Sequence, residues 1–109
     1  MKKISLFGFC FLAFLMTNCE TVAHFNVINN YNASIITLSR SINGRIYLHD
    51  NLDIQPGQTY RFNWWDNSHY KIFVITADGK HSNILDFVIP KGNLVYTIIL
   101  NEDGVLIKE

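Results

Sequence analysis

The stretch that decides the fold is residues 70–89, YKIFVITADGKHSNILDFVI. Two alternating apolar runs flank Asp78-Gly79, a dipeptide typical of two-residue hairpin loops. The register that follows pairs Tyr70 with Phe87, Lys71 with Asp86, Ile72 with Leu85, and Phe73 with Ile84. The opposite charges of Lys71 and Asp86 support this register, because cross-strand ion pairs stabilise a sheet. The segment therefore predicts an antiparallel β-hairpin with one apolar face.

The same period of two, with turn residues every eight to twelve positions, continues on both sides of this hairpin. It predicts eight short strands at residues 24–28, 34–41, 45–49, 58–65, 70–77, 81–89, 94–100 and 105–108. The run 94–100 is apolar on both faces apart from Thr97, which is typical of a central strand. Many short strands with regular turns indicate an all-β fold, a small antiparallel β-sandwich of seven to eight strands.

In strand count and turn spacing this sandwich resembles the immunoglobulin-like architecture. The chain lacks the two bridging cysteines and the tryptophan between them, so the resemblance concerns architecture and not family membership. Both cysteines, Cys10 and Cys19, lie near the amino terminus. We therefore expect one domain over residues 24–109, stabilised by its apolar core without a disulfide.

A second hairpin is centred on Asn43-Gly44. A two-residue loop would pair Leu38 with His49, which separates the apolar side chains of the two strands onto opposite faces. A bulged turn shifts the register by one residue and pairs Leu38 with Leu48, giving one apolar face. The hydrophobic pattern therefore favours the bulged turn.

The first residues have the composition of an export signal. Lys2 and Lys3 precede an apolar run of thirteen residues, Ile4–Met16. A helix of that length reaches about 20 Å, which is too short for a bilayer core of about 30 Å. Two cleavage sites are open: residues 1–23 form a signal peptide cut after Ala23, or residues 1–18 are removed and Cys19 carries a lipid. The second reading rests on Met16-Thr17-Asn18-Cys19, which resembles a degenerate bacterial lipobox.

Charge excludes one large class of function. The chain carries nine Lys and Arg against nine Asp and Glu. Removal of residues 1–23 leaves seven basic and eight acidic residues. Nucleic-acid binding needs a basic excess, so we expect no nucleic-acid partner. Membrane contact is expected only through an N-terminal lipid anchor.

Reactive side chains form no recognisable constellation. The sequence has no Gly-x-Ser-x-Gly elbow and no glycine-rich phosphate loop. Its aspartates lie mostly in turns, and its four histidines stand at no spacing typical of a metal site. We therefore expect neither an enzyme nor a cofactor or metal site.

The most unusual segment is residues 64–69, WWDNSH. Alternation along this strand places Trp64 inward and Trp65 outward. An exposed indole beside Asp66, Asn67 and His69 can stack on a sugar or anchor a protein contact. Arg45 and Tyr47, in the strand after Asn43-Gly44, form a second candidate patch.

Two functions are compatible with these features. The first is an exported, non-enzymatic binding module, secreted or periplasmic, that binds a protein or glycan partner of the bacterial envelope or extracellular space through Trp65 and neighbouring loops. The second is a lipoprotein anchored to a membrane by Cys19, serving as a structural subunit of an envelope assembly. In that case exposed strand edges, such as residues 24–28 or 105–108, would pair with another chain.

Overall fold

A computed structural model describes residues 22–65, 68–92 and 94–109, and these form a β-sandwich of two four-stranded sheets. No helix within these ranges is long and apolar enough to cross a bilayer. Eight strands are present, as the alternation predicts. They are β1 (Val22–Asn29), β2 (Ile35–Ile42), β3 (Arg45–His49), β4 (Thr59–Trp65), β5 (Ser68–Thr76), β6 (Leu85–Ile89), β7 (Leu94–Leu100) and β8 (Leu106–Lys108).

The first sheet has the strand order β4-β1-β7-β8 and the second has the order β3-β2-β5-β6. The prediction of a wholly antiparallel sandwich is wrong in one place, because β1 and β7 are parallel. The predicted edge at residues 24–28 is also wrong, since β1 lies between β4 and β7. The central position predicted for residues 94–100 and the edge position predicted for residues 105–108 are confirmed.

The central position of β1 follows from its alternating side chains. Ala23, Phe25 and Val27 all face inward and are fully buried or nearly so. The ring of Phe25 stacks on that of Phe62 and, across the sandwich, on that of Tyr70, each with centroids 4.9 Å apart. Alternation alone identifies the strand but not its neighbours.

The core fills the space between the sheets with alternate residues of both inner faces. Its fully buried large side chains include Phe25, Val27, Ile35, Leu38, Tyr70, Ile72, Val74, Ile89, Ile98, Leu100 and Leu106. Aromatic residues of β3, β4, β6 and β7 pack around this cluster and remain partly exposed. The core is therefore mainly aliphatic, with Phe25 and Tyr70 fully buried within it and further aromatic rings along its sides.

The bulged turn expected at Asn43-Gly44 is wrong. Leu38 pairs with His49 and Arg40 pairs with Tyr47, the register of a two-residue loop. Both loop residues have positive φ, 51° at Asn43 and 87° at Gly44, as a type I′ turn requires. Turn geometry thus outweighs the hydrophobic pattern.

The hairpin around Asp78-Gly79 has the predicted register where it joins the sheet. Tyr70 pairs with Phe87, Lys71 with Asp86 and Ile72 with Leu85. Strand β6 is shorter than predicted because it begins at Leu85, and His81 forms an isolated bridge with Ile75. Two side chains bond the backbone before this strand begins. The Ser82 hydroxyl accepts a hydrogen bond from the Val74 amide, and Asn83 bonds the backbone of Leu106. These polar residues therefore delay the start of β6.

Asn29, at the end of β1, holds the connections at one end of the sandwich. It is fully buried, and its side-chain NH₂ donates to the carbonyls of Ala33 and Ile54 at 2.9 and 2.8 Å. Its side-chain oxygen accepts a hydrogen bond from the Tyr31 amide. One buried amide therefore fixes two loops against the sheet.

Candidate functional site

The candidate residues lie at the opposite end of the sandwich, which we call the upper end. It consists of the Asn43-Gly44 loop, the β4–β5 and β6–β7 connections, and the start of β1 at Val22. Strands β2, β4 and β6 end here, and β1, β3, β5 and β7 begin here, because adjacent strands alternate in direction apart from the parallel pair. Loops grouped at one end of a sandwich are a common location for binding residues.

The structure brings together the backbones of the predicted site residues at this end. Trp65 is the last residue of β4 and pairs with Val22, while Arg45 and Tyr47 lie in β3. The side chain of Trp65 and the whole of Asp66 and Asn67 lie outside the described residues.

His69 does not join Tyr47. It lies on the outer face of its sheet, where its Nε2 is 2.5 Å from Oδ1 of Asp86. Tyr47 was predicted to face outward, but the type I′ register places it opposite Arg40 on the inner side. The predicted patch is therefore divided between two faces of one sheet.

Arg40 occupies the centre of the upper end and was not among the predicted site residues. It is only 4% exposed, and its Cζ lies 4.1 Å from the ring centroid of Trp64 and 4.8 Å from that of Phe62. Both distances are within the range of cation–π attraction. Trp64 faces inward, as alternation along β4 predicts, and is partly buried.

Tyr47 covers this cluster from the β3 side. Its ring centroid is 5.0 Å from that of Trp64, with the planes tilted by 56°. β3 and β4 are the edge strands of their sheets on the same side of the sandwich, so this ring pair closes the gap between the sheets. We call Arg40, Tyr47, Phe62 and Trp64 the arginine–aromatic cluster.

Several buried polar groups of this region lack partners. Within residues 22–65, 68–92 and 94–109, neither Nε nor Nη1 of Arg40 has a hydrogen-bond partner, and neither does the Tyr70 hydroxyl. Burial raises the pKa of the Tyr70 phenol well above its ordinary value, and the Arg40 guanidinium opposes this shift only in part. The phenol is therefore protonated at neutral pH, and its O–H is available as a donor.

His49 extends the same side of the sandwich away from the upper end. Its Nδ1 lies 3.2 Å from the Tyr60 hydroxyl. Burial lowers the pKa of the His49 imidazole, and the positive charge of Arg40 lowers it further. The neutral form of the ring is favoured here.

Sequence reasoning missed Arg40 although one signal was present. Arg40 shares the parity of Leu38 and Ile42, both buried, so alternation places all three on one face. Among the described residues, no group of three His, Cys, Asp or Glu side chains is placed to hold a metal ion. The upper end can therefore contribute hydrogen-bond donors, positive charge and aromatic surface to a contact.

Comparison with known proteins gives a fold likeness and no function. No protein family model matches the chain, and no curated protein matches it. A solved structure described as "NMR structure of the protein from Eubacterium rectale" is similar over 83% of this chain and 88% of that one. The TM-score is 0.55 and the sequence identity is 14%, so the likeness concerns the fold alone.

Proposed function

We propose that this protein is an exported, non-enzymatic binding module of the bacterial envelope or extracellular space, and that it binds a protein partner. The contact surface is the upper end, with Arg45, Tyr47, Trp65 and the neighbouring loops. The observation that carries the proposal is the arginine–aromatic cluster, in which Tyr47 and Trp64 remain partly exposed above a buried Arg40. Tyr, Trp and Arg are the residues that most often dominate the binding energy of protein interfaces.

The surroundings of the cluster favour a protein over a glycan. Ile46 and Leu48, on either side of Tyr47 in β3, are 68% and 59% exposed. Sugars stack on aromatic rings with polar groups beside them, whereas exposed aliphatic side chains are typical of protein contacts. These two side chains point to the outer face of β3 and Tyr47 to the inner face, so a partner that wraps around the edge of β3 would bury all three.

The test is capture of a partner from native envelope extracts, with Trp65→Ala and Tyr47→Ala beside the unchanged protein. Arg61→Ala is the matched control, because Arg61 is an exposed residue in the middle of β4. We expect the control to retain the partner and both aromatic variants to lose it, with unchanged circular dichroism. Equal capture by all four proteins, or binding to a glycan array with no protein captured, would contradict the proposal.

A second candidate is a lipid-anchored structural subunit that uses exposed strand edges. One observation supports the anchor: Ala23 is fully buried and pairs with both Trp64 and Leu94. Cleavage before Cys19 leaves β1 complete, whereas cleavage after Ala23 removes this residue from the core. The edges in question are β3, β4, β6 and β8.

Mass spectrometry of the exported protein distinguishes the two products. An acylated Cys19 at the amino terminus supports the anchored subunit. A free His24 supports the soluble module and excludes the anchor.

A further inference from the structure

We infer that Arg40 is the anion-binding group of the upper end and that it binds the side-chain carboxylate of a Glu or Asp residue on the protein partner. This inference rests on the proposed function and names the chemistry of its partner. It depends on three features: a buried charge, hydrogen-bond donors without acceptors, and a cover of side chains that lie on two edge strands.

The first feature is the burial of the guanidinium. Arg40 is 4% exposed, and burying a charge is costly unless an opposite charge and hydrogen bonds compensate. The rings of Trp64 and Phe62 attract the charge, but a ring face does not replace an oxygen acceptor for the N–H groups. Nε and Nη1 have no such acceptor among the described residues. The cluster therefore buries the Arg40 guanidinium and leaves its Nε–H and Nη1–H groups able to donate hydrogen bonds to another molecule.

The second feature is the nature of the unpaired groups. Nε–H and Nη1–H of Arg40 are donors, and the Tyr70 hydroxyl, which stays protonated, can also donate. A complementary group must therefore be an acceptor with at least two oxygens. An ionised carboxylate meets this requirement, because one of its oxygens can accept a charge-assisted hydrogen bond from a guanidinium N–H and the other can accept one from the phenol O–H.

The third feature is access. On this side the guanidinium is covered by side chains, because Tyr47 and Trp64 lie on two edge strands and are partly exposed. Their rings are in contact, with centroids 5.0 Å apart, so they must rotate apart before a carboxylate reaches Arg40. Such a rotation breaks no strand pair, and the opening admits a flexible Glu or Asp side chain more easily than a carboxylate attached directly to a bulky sugar ring. Exposed Arg45 and Lys91 bring two further positive charges to the upper end, which favours the approach of an acidic segment.

The experiment is an NMR titration of the full exported protein with an acetylated Ala-Ala-Glu-Ala-Ala peptide amide. The matched probe has Gln in place of Glu. We expect saturable shifts at the Arg40 Nε–H and the Trp64 indole with the Glu peptide, and binding about tenfold weaker or worse with Gln. Equal binding of both peptides would overturn the inference, as would the absence of shifts with either.

Substitutions test whether Arg40 is the residue that binds the Glu peptide. Arg40→Met, which fills a similar volume without charge, should weaken binding of the Glu peptide about tenfold or more. Arg61→Met, the exposed control on β4, should leave binding unchanged. If Arg40→Met does not fold, Tyr70→Phe keeps the buried ring and removes one donor, and we then expect binding several-fold weaker. If Arg40→Met folds and binds the Glu peptide with unchanged affinity, the inference is overturned. If Arg40→Met does not fold, unchanged affinity in Tyr70→Phe overturns it instead.

Two further outcomes are informative. Arg40-dependent binding of an oligogalacturonate, with no binding of the Glu peptide, would replace the protein carboxylate by that of an acidic glycan and overturn the assignment. Capture of the native partner that depends on Tyr47 and Trp65 but not on Arg40 would overturn the role of Arg40 while leaving the proposed function standing.

Discussion

Ala23 is fully buried and directly opposite Trp64 in the β1–β4 pair. This contact connects the predicted leader to the stability of the domain, because Ala23 is also the last residue of one of the two candidate leaders. A chain that begins at His24 loses the first two residues of β1, together with their backbone pairing.

We predict that a protein beginning at His24 is less stable than one beginning at Cys19, with Cys19→Ser in place of the lipid. The expected difference is about 1–3 kcal/mol, from lost hydrogen bonds and buried apolar area. Urea unfolding of the two purified chains measures it. Equal midpoints and slopes would mean that residues 19–23 contribute nothing to the fold.

The register of the β2–β3 hairpin makes opposite predictions for two leucines. Leu38 is fully buried and Leu48 is 59% exposed. Leu38→Ala should cost about 2–5 kcal/mol, the usual range for a core leucine, and Leu48→Ala less than about 1 kcal/mol. Denaturant unfolding of both variants provides the comparison. A large loss at Leu48 would indicate the bulged register, in which this side chain packs in the core.

The fold was predictable where local signals agreed. Asp78-Gly79 and the charge pair of Lys71 and Asp86 both pointed to one register, and that register is present. At Asn43-Gly44 the signals disagreed, since turn chemistry favoured a two-residue loop and the apolar pattern a bulge. The pattern failed because it took Tyr47 for a surface residue, whereas Tyr47 covers a buried arginine.

The candidate site was predictable only in part, for a related reason. The sequence identified Trp65 and the pair of Arg45 and Tyr47 as two separate patches, and the structure brings their backbones to one end. Arg40 gains its significance from Trp64 and Phe62, which approach it from the other sheet. Contacts between sheets depend on how the strands are ordered, and the parallel pairing of β1 with β7 has no local signature in the sequence.

Asn29 provides a test of the lower end. Asn29→Ala removes three hydrogen bonds, two to the carbonyls of Ala33 and Ile54 and one from the Tyr31 amide, so we expect a loss of about 2–4 kcal/mol in the free energy of unfolding. Asn30→Ala is the matched control, because Asn30 is the next residue and is exposed. Thermal and urea unfolding should show little change for the control. A similar result for both variants would mean that water replaces the amide of Asn29 without cost.

The lowered pKa of His49 predicts an acid-sensitive stability. Burial and the charge of Arg40 hold the pKa of the folded imidazole below its unfolded value of about 6.5. Below that pH the unfolded chain binds a proton that the folded chain resists, so stability falls as the pH drops from 6.5 toward the folded pKa. Urea unfolding between about pH 7.5 and about pH 5.5, each about a unit from the unfolded pKa of about 6.5, measures the slope.

His49→Gln removes the titrating group and keeps a side chain that can bond the Tyr60 hydroxyl. The variant should therefore lose less stability on acidification than the unchanged protein, and the difference between the two slopes belongs to His49 alone. His81→Gln serves as a control for the loss of an exposed imidazole. Parallel slopes for His49→Gln and the unchanged protein would mean that the folded imidazole accepts a proton as readily as the unfolded one. In that event the charge of Arg40 would have no measurable effect on the pKa of His49. The electrostatic argument for an anion site at Arg40 would then be weaker.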